Sequence, residues 1–346
     1  MKKPFLWKRW LRSVGLPIGG SLAVLLLCYG CGSASISMGK AFQVLSHRLF
    51  GTQLPESIQA SQVSILWSIR LPRVLMAFFV GGALSVSGAV MQSVLQNPLA
   101  SSYTLGVSSG ASLGAALALS FAGSLPILGN LLMPAAGFVF GLGTVFLVLL
   151  IAARLDHQVQ SHTVILFGMV ISLFTNALLT LVESLNHEYM QRILMWQMGS
   201  FSGRRWFHVE ILAPVCLIGF LGILRYHREL DIVSFGDEQA LTLGVNSRQV
   251  KRILLVLASL LTGVSVCFSG TIGFIDLIAP HVVRRLYGAS HKTLLPLCFL
   301  FGGSFMVLAD TVARTVISPR EIAIGAVTAL IGAPFFLWLY FRKRGA

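Results

Sequence analysis

Gly168, Ser172, Asn176, Thr180 and Glu183 stand at steps of 4, 4, 4 and 3 residues, so a helix through them carries one polar stripe on one face. Inside an otherwise apolar helix, such a stripe either lines a watery path or hydrogen-bonds to packed neighbours. The path reading assigns Ser172, Asn176, Thr180 and Glu183 to the passage of a solute. Other ionisable residues also stand in apolar surroundings. Arg70 and Arg73 flank Leu71-Pro72, Asp276 follows Phe274-Ile275, and Asp310 precedes Arg314 by four residues. That last spacing suits an i, i+4 ion pair, or leaves Arg314 free to dock a partner. Glu183, Asp276 and Asp310 are also the carboxylates that an ion-driven carrier would use.

No bond-making site accompanies these residues. Gly39-Lys40 is followed by Ala41 and lacks the upstream glycine of a phosphate loop, and His187-Glu188 is not completed by a histidine at Gln191. No Gly-x-Ser-x-Gly segment falls on a strand-to-helix turn. Cys28, Cys31, Cys216, Cys267 and Cys298 all lie in apolar runs and read as small buried hydrophobes. Cys28 and Cys31 would share a helix face, but no His, Asp or Glu in that run completes a metal site. The chain is expected to be no enzyme, with no metal or cofactor of its own.

The elements that carry these residues must pass through hydrocarbon. Of 346 residues, 55% are hydrophobic and 11% charged, and the mean hydropathy is +0.80. A soluble surface needs about 25% charged residues. Apolar runs near the ~20 residues that cross a bilayer recur along the chain, at 14–35, 72–95, 103–123, 130–152, 163–185, 208–226, 252–269, 271–287, 294–312 and 322–341. The expected fold is an all-α polytopic membrane protein of ten transmembrane helices. The eighth run is the weakest, being short and interrupted by Pro280. The basic start, Lys2 to Arg12, followed by an apolar run ending Tyr29-Gly30-Cys31-Gly32, imitates a signal peptide. The run is long enough to span and reads as the first retained helix.

With the amino terminus inside, and span-end cations counted with the adjoining segment, inside segments hold 17 of the 26 Lys and Arg and outside segments 9. Both termini are therefore expected in the cytoplasm, with Arg342-Lys343-Arg344 as the closing anchor. The net charge of +14 reads as these anchors meeting anionic lipid, not as a nucleic-acid surface, because no basic helix with interleaved aromatics stands outside the spans. Pro72 is expected to open the second span and Asn97-Pro98 to close it. Gly106, Gly110 and Gly114, with Gly137 and Gly141 on the next span, mark close helix packing.

Residues 36–71 are expected outside as short interfacial helices. Residues 227–251 lie inside, where Ala240, Leu241 and Leu243 are flanked by charge and ended by Gly244, the pattern of a short amphipathic helix with a glycine cap. No membrane covers that helix, so its apolar face is expected to meet another protein. Ser87-Gly88 with Pro98 and Ser269-Gly270 with Pro280 repeat at an offset of 182 residues, which suggests an inverted repeat.

Seven motifs in order carry a family likeness: Arg70-Leu-Pro-Arg73; Ser87-Gly-Ala-Val-Met-Gln92 with Asn97-Pro-Leu-Ala100; Leu105-Gly-Val-Ser-Ser-Gly110; Gly236-Asp-Glu-Gln-Ala240 with Leu243-Gly-Val245; Gly273-Phe-Ile-Asp-Leu-Ile-Ala-Pro-His281 with Arg284; Ala309-Asp-Thr-Val-Ala-Arg314; and Gly325 through Ile331-Gly-Ala-Pro334. Over nearly its full length the chain resembles the FecCD permeases, the membrane subunits of binding-protein-dependent ABC importers for iron–siderophores, haem and vitamin B12. The resemblance implies a ten-helix subunit of the bacterial cytoplasmic (inner) membrane. Such a subunit pairs with a second permease copy or homologue around a central path, and with two ATP-binding subunits that hold ATP and Mg. It also receives cargo from an extracytoplasmic substrate-binding protein. Residues 231–250 then become the coupling segment, with Gly236, Asp237, Glu238, Ala240, Leu243 and Gly244 engaging the ATPase. Arg70, Arg73 and Arg314 are similar to arginines that receive acidic residues of the binding protein, and Asn97, Leu99, Ser161 and His162 look like the cytoplasmic gate. The chain departs from the family's usual pattern at Asp237, commonly Glu, and at Asp276, commonly Gly. The competing reading is an ion-gradient-driven secondary transporter using the intramembrane carboxylates.

Overall fold

In the computed structural model the described residues are 15–32, 34, 36–122, 129–155 and 160–344. They are helical throughout, with no strand among them. The basic start, Lys2 to Arg12, lies outside the described residues, as do the side chains of Arg342, Lys343 and Arg344.

Helix α1 (Leu16–Gly30) is apolar and leads to an amphipathic helix, α2 (Met38–Phe50). Ser37 caps the start of α2, and Gly51 ends it in a left-handed conformation that favours glycine. This matches the interfacial helix expected over 36–71. Next comes α3, one continuous helix over Ala60–Val94. Pro72 does not open it. The turn Ile65–Arg70 is wound as a π-helix, in which the Leu71 amide donates to the Leu66 carbonyl. A wider turn there makes room for the proline ring and absorbs its missing N–H, so the helix runs through Pro72 unbroken.

A turn and a short 3₁₀ segment (Ser102–Leu105) lead into α4 (Val107–Ala122), followed by α5 (Gly129–Leu155), α6 (Ser161–Leu185) and the short α7 (His187–Gln197). Gly106 is not on the α4 face as expected. It stands before the helix with φ of 83°, while Gly110 and Gly114 make the close approach. A Cβ on Gly110 would lie 2.7 Å from the Phe140 carbonyl oxygen, and one on Gly114 2.4 Å from that of Ala136. The backbones of α4 and α5 therefore touch where no side chain intervenes.

The second half holds α8 (Trp206–Arg225), α9 (His227–Val233), α10 (Asp237–Thr242), α11 (Ser247–Ser269), α12 (Ile275–Tyr287), α13 (His291–Thr315) and α14 (Ile324–Arg344). Among the described residues, six helices are long and apolar enough to cross a membrane: α3, α5, α6, α8, α11 and α13. Helix α1 and parts of α4 and α14 are apolar but shorter. Helix α12 has 13 residues, about 20 Å at 1.5 Å per residue, too short to cross alone. Its chain enters through a non-helical stretch from Gly270 to Phe274. Such backbone is tolerated at membrane depth only when protein covers it, and a Cβ on Gly270 would lie 2.0 Å from the Trp196 carbonyl oxygen.

The two echoed Ser-Gly pairs occupy different settings. Ser87-Gly88 sits mid-helix in α3, whereas Ser269-Gly270 ends α11. Pro98 lies in a turn and Pro280 inside α12. That echo is therefore not a local structural repeat.

The core forms around α3 and α11, the most buried of the long helices. They pack on each other; α3 also packs against α12 and α13, and α11 against α4 and α5. Helices α3 and α13 cross at Gly81 and Gly302, where a Cβ on either would lie within 2.6 Å of the other's carbonyl oxygen.

Candidate functional site

That crossing positions the arginines. Arg73 precedes Gly81 by eight residues and Asp310 follows Gly302 by eight. On antiparallel helices both displacements run about 12 Å the same way, so the two side chains meet. The Arg73 Nε and Nη2 donate to Asp310 Oδ1 at 3.0 and 2.8 Å, and Nη1 donates to Glu321 Oε1 at 2.6 Å. Arg314, one turn beyond Asp310, lies 3.6 Å from its Oδ2 and donates to the Cys28 carbonyl at 2.7 Å. Of the two readings of the Asp310–Arg314 spacing, the ion pair forms, and Arg314 also lines a cleft. Arg70, in the π-turn, donates to the Gly30 carbonyl at 2.9 Å and to that of Ala34.

Arg70, Arg73 and Arg314 are only 4–7% exposed, yet they share the wall of a 280 Å³ cleft with Arg204 and Glu321. Arg204 and Glu321 have no signal in the sequence pattern, because only the tertiary fold brings the 199–205 loop and the segment before α14 here. Two carboxylates face four guanidinium groups, and both carboxylates are taken by Arg73 and Arg314. Among the described residues Arg204 has no carboxylate partner, its Nε is buried without a hydrogen bond, and burial holds its pKa below the ordinary arginine value. The cleft is therefore short of negative charge and suited to an incoming carboxylate. The burial also assigns different work to the arginines: Arg73 holds α3, α13 and the segment before α14 together, while Arg204 stays available.

At the opposite end, α9 and α10 lie in and beside residues 231–250, the segment expected to couple to an ATPase. Gly236 caps α10 with φ of 123°, and Gly244 ends it at φ of 76°. Leu241 and Leu243 are 62% and 66% exposed, and Phe235, missed in the sequence, is 77% exposed. Ala240 corrects the expected apolar face: it is fully buried and anchors the helix inward. Asp237 is also turned inward, accepting from Lys251 Nζ at 2.7 Å, while Glu238 is exposed. Lys251 is itself nearly fully buried, so Asp237 neutralises a buried cation.

A polar network ties this segment to the core. Asp231 of α9 accepts from the His291 amide at 2.8 Å, and the His291 ring meets Ser93 Oγ at 2.7 Å. Arg284 donates to Ser93 Oγ at 3.2 Å and also to Gln92 Oε1, and Gln92 Nε2 donates to the Asp276 carbonyl at 3.3 Å. Asp276, 2% exposed, accepts from Ser101, and its second carboxylate oxygen has no partner. The chain of contacts thus runs from α9 to the turn after α3.

That turn and the start of α6 hold the residues expected to form a gate, Asn97, Leu99, Ser161 and His162. Asn97 Oδ1 accepts from the Leu99 amide at 2.9 Å, and Leu99 is 62% exposed. Ser161 Oγ reaches the Val94 carbonyl at 3.5 Å, so the start of α6 adjoins the turn, and His162 beside it is exposed.

The polar stripe lies at the edge of the packed face of α6. Ser172 and Thr180 hydroxyls donate back to the Gly168 and Asn176 carbonyls at 2.7 and 3.0 Å, and Glu183 accepts from Gln197 at 3.0 Å. Asn176 and Thr180 are exposed, while Ser172 and Glu183 are half-buried. Cys31 is exposed, against its expected burial, while the other cysteines are buried.

The comparisons agree with this arrangement. The FecCD transport family matches residues 21–342. The chain is 40% identical over 320 residues to an uncharacterized ABC transporter permease, YvrB, of Bacillus subtilis, covering 92% of this chain and 90% of that one. It is 36% identical over 330 residues to the hemin transport permease HmuU of Yersinia pestis, covering 94% and 95%. Among solved structures, it superposes on an inward-facing metal-chelate-type ABC transporter with a TM-score of 0.78 at 31% identity, over 93% of this chain and 98% of that one. A chain with this match from end to end, and with its arginines gathered at one end and its apolar handle exposed at the other, belongs to the FecCD transport family.

Proposed function

We propose that this chain is the membrane subunit through which a ferric–siderophore complex, or haem or a corrinoid, enters the cytoplasm, driven by ATP hydrolysis on two partner subunits. The observation that carries the reading is the exposed apolar knob of Phe235, Leu241 and Leu243 beside an anchored, ion-paired base. Apolar side chains held on a rigid cytosolic handle need a protein partner to cover them. The cargo follows the relatives, whose names include hemin and Fe(3+) dicitrate permeases. The four-arginine cleft is the docking site for carboxylates of an extracytoplasmic binding protein.

The subunit crosses the bacterial cytoplasmic membrane ten times with both termini inside. Charge bias supports this orientation, and the six long and three shorter apolar helices, with α12 reached through buried backbone, fit it. An inverted repeat is supported by packing: α3 contacts α11 and the pair α12–α13, while α11 contacts α3 and the pair α4–α5. Each central helix thus packs on two helices of the other half. Asn176 and Thr180 face a second copy across the path, because an uncovered amide is costly against lipid.

The test is reconstitution in liposomes with the ATP-binding subunits and binding protein. Uptake that requires ATP, and that is lost in a Phe235→Glu/Leu243→Glu variant which still folds, is expected. Uptake without any ATPase, driven by an ion gradient, would overturn the reading in favour of a secondary transporter.

A further inference from the structure

A cleft of 680 Å³ opens where the end of α8 meets α9 and the start of α13. Its walls are of two kinds. Leu221 and Leu224 come from the last turns of α8, and the rim carries Arg225, Arg228, Glu229 and Lys292. Arg225, Arg228 and Lys292 are exposed, and none forms an ion pair among the described residues. Glu229 is likewise unpaired, and one of its carboxylate oxygens is buried with no hydrogen-bond partner. Three cations against one carboxylate leave the cleft strongly positive.

The surface leading to it is apolar. Ile218 and Leu221 are 71% and 59% exposed, and Arg225 follows them at the i+7 position of the same helix face. A stripe that faces hydrocarbon therefore ends directly in the cationic rim.

We infer that this cleft binds one anionic glycerophospholipid of the inner leaflet. The phosphate meets Arg225, Arg228 and Lys292, and an acyl chain lies along Ile218 and Leu221. The chemistry distinguishes this ligand from its neighbours. A free phosphate would satisfy the cations but leave the apolar stripe of Ile218 and Leu221 unused. A zwitterionic lipid would bring no net charge to balance the rim. The inner-leaflet assignment rests on the topology proposed above. The site adjoins α9, so its occupant sits at the root of the coupling segment.

The test uses the full-length permease, stripped of lipid in detergent and titrated with phosphatidylglycerol or phosphatidylcholine under native mass spectrometry. A discrete phosphatidylglycerol adduct should form at a concentration at least about tenfold lower than the phosphatidylcholine adduct. The Arg225→Gln/Arg228→Gln/Lys292→Gln variant should lose that preference while keeping its phosphatidylcholine adducts, and Arg225→Lys/Arg228→Lys should retain it. Equal binding of the two lipids overturns the inference, as does a preference unchanged in the triple glutamine variant. Displacement by soluble glycerol phosphate at equal concentration assigns the cleft to free anions, and loss of the adduct on assembly with the ATP-binding subunits assigns it to a protein; both overturn it. Labelling of Lys292→Cys in a Cys31→Ser background, free of other exposed cysteine, with an impermeant maleimide reads the topology separately. Reaction only in inverted vesicles supports the inner leaflet, and reaction in intact cells overturns that placement whatever the lipid preference.

Discussion

Arg73 and Arg204 stand in one cleft and do opposite work. Arg73 is bound to Asp310 and Glu321, with Asp310 1% exposed, so its loss leaves a buried carboxylate facing only Arg314 at 3.6 Å. Removing one partner of a buried pair costs about 3–5 kcal/mol, much of it the cost of the stranded charge. Arg73→Gln is therefore expected to lower the thermal stability of the purified permease, and Arg73→Lys, which keeps a cation beside Asp310, to lower it less in the same melting assay. Arg204→Gln should leave melting nearly unchanged, since its guanidinium has no carboxylate to strand. It should instead weaken the extracytoplasmic binding protein by about tenfold or more. Equal affinities for wild type and Arg204→Gln in a surface-plasmon measurement would remove Arg204 from the docking site.

Among the elements, α3 bears the most consequences. Its π-turn sets Arg70, its crossing at Gly81 sets Arg73, and its last turn supplies Gln92 and Ser93 to the network reaching Asp231. Ser93 contacts both His291 and Arg284, so α3, α12 and α13 share one polar node beside α9. Ser93→Ala removes that node for about 1–3 kcal/mol, the cost of leaving buried partners unsatisfied. If the node transmits motion, cargo moved per ATP hydrolysed should fall by more than stability predicts. An unchanged ratio in the reconstituted complex would make the network packing alone. The sequence pattern marked the motifs containing Gln92 and Arg284 but not their meeting, because contacts nearly two hundred residues apart leave no periodic trace.

For the whole molecule, the uncovered face of α6 is the open question of assembly. Leu173 and Phe174 are 71% and 61% exposed beside the exposed Asn176 and Thr180. Apolar residues alone could face lipid, but the polar pair could not do so cheaply. A single Asn176→Cys in a permease otherwise free of exposed cysteine (Cys31→Ser) should form a disulfide between two copies in the membrane under mild oxidation. Only monomer on a non-reducing gel, at any oxidant level, would place the stripe away from the second copy.

Composition and periodicity by themselves determined that this chain is helical and membrane-borne. They also located the glycine-capped handle, since apolar length, charge bias and a capping glycine are local properties read along one helix. The tertiary structure decided what those helices do to one another. It ran α3 through Pro72 by widening one turn, shortened α12 against buried backbone, and turned Ala240 and Asp237 inward. It also gathered Arg70 and Arg73 of α3, Arg204 of the 199–205 loop and Arg314 of α13 around two carboxylates. Burial and ion pairing depend on which helices cross and where, and those crossings arise from close glycine contacts between distant parts of the chain.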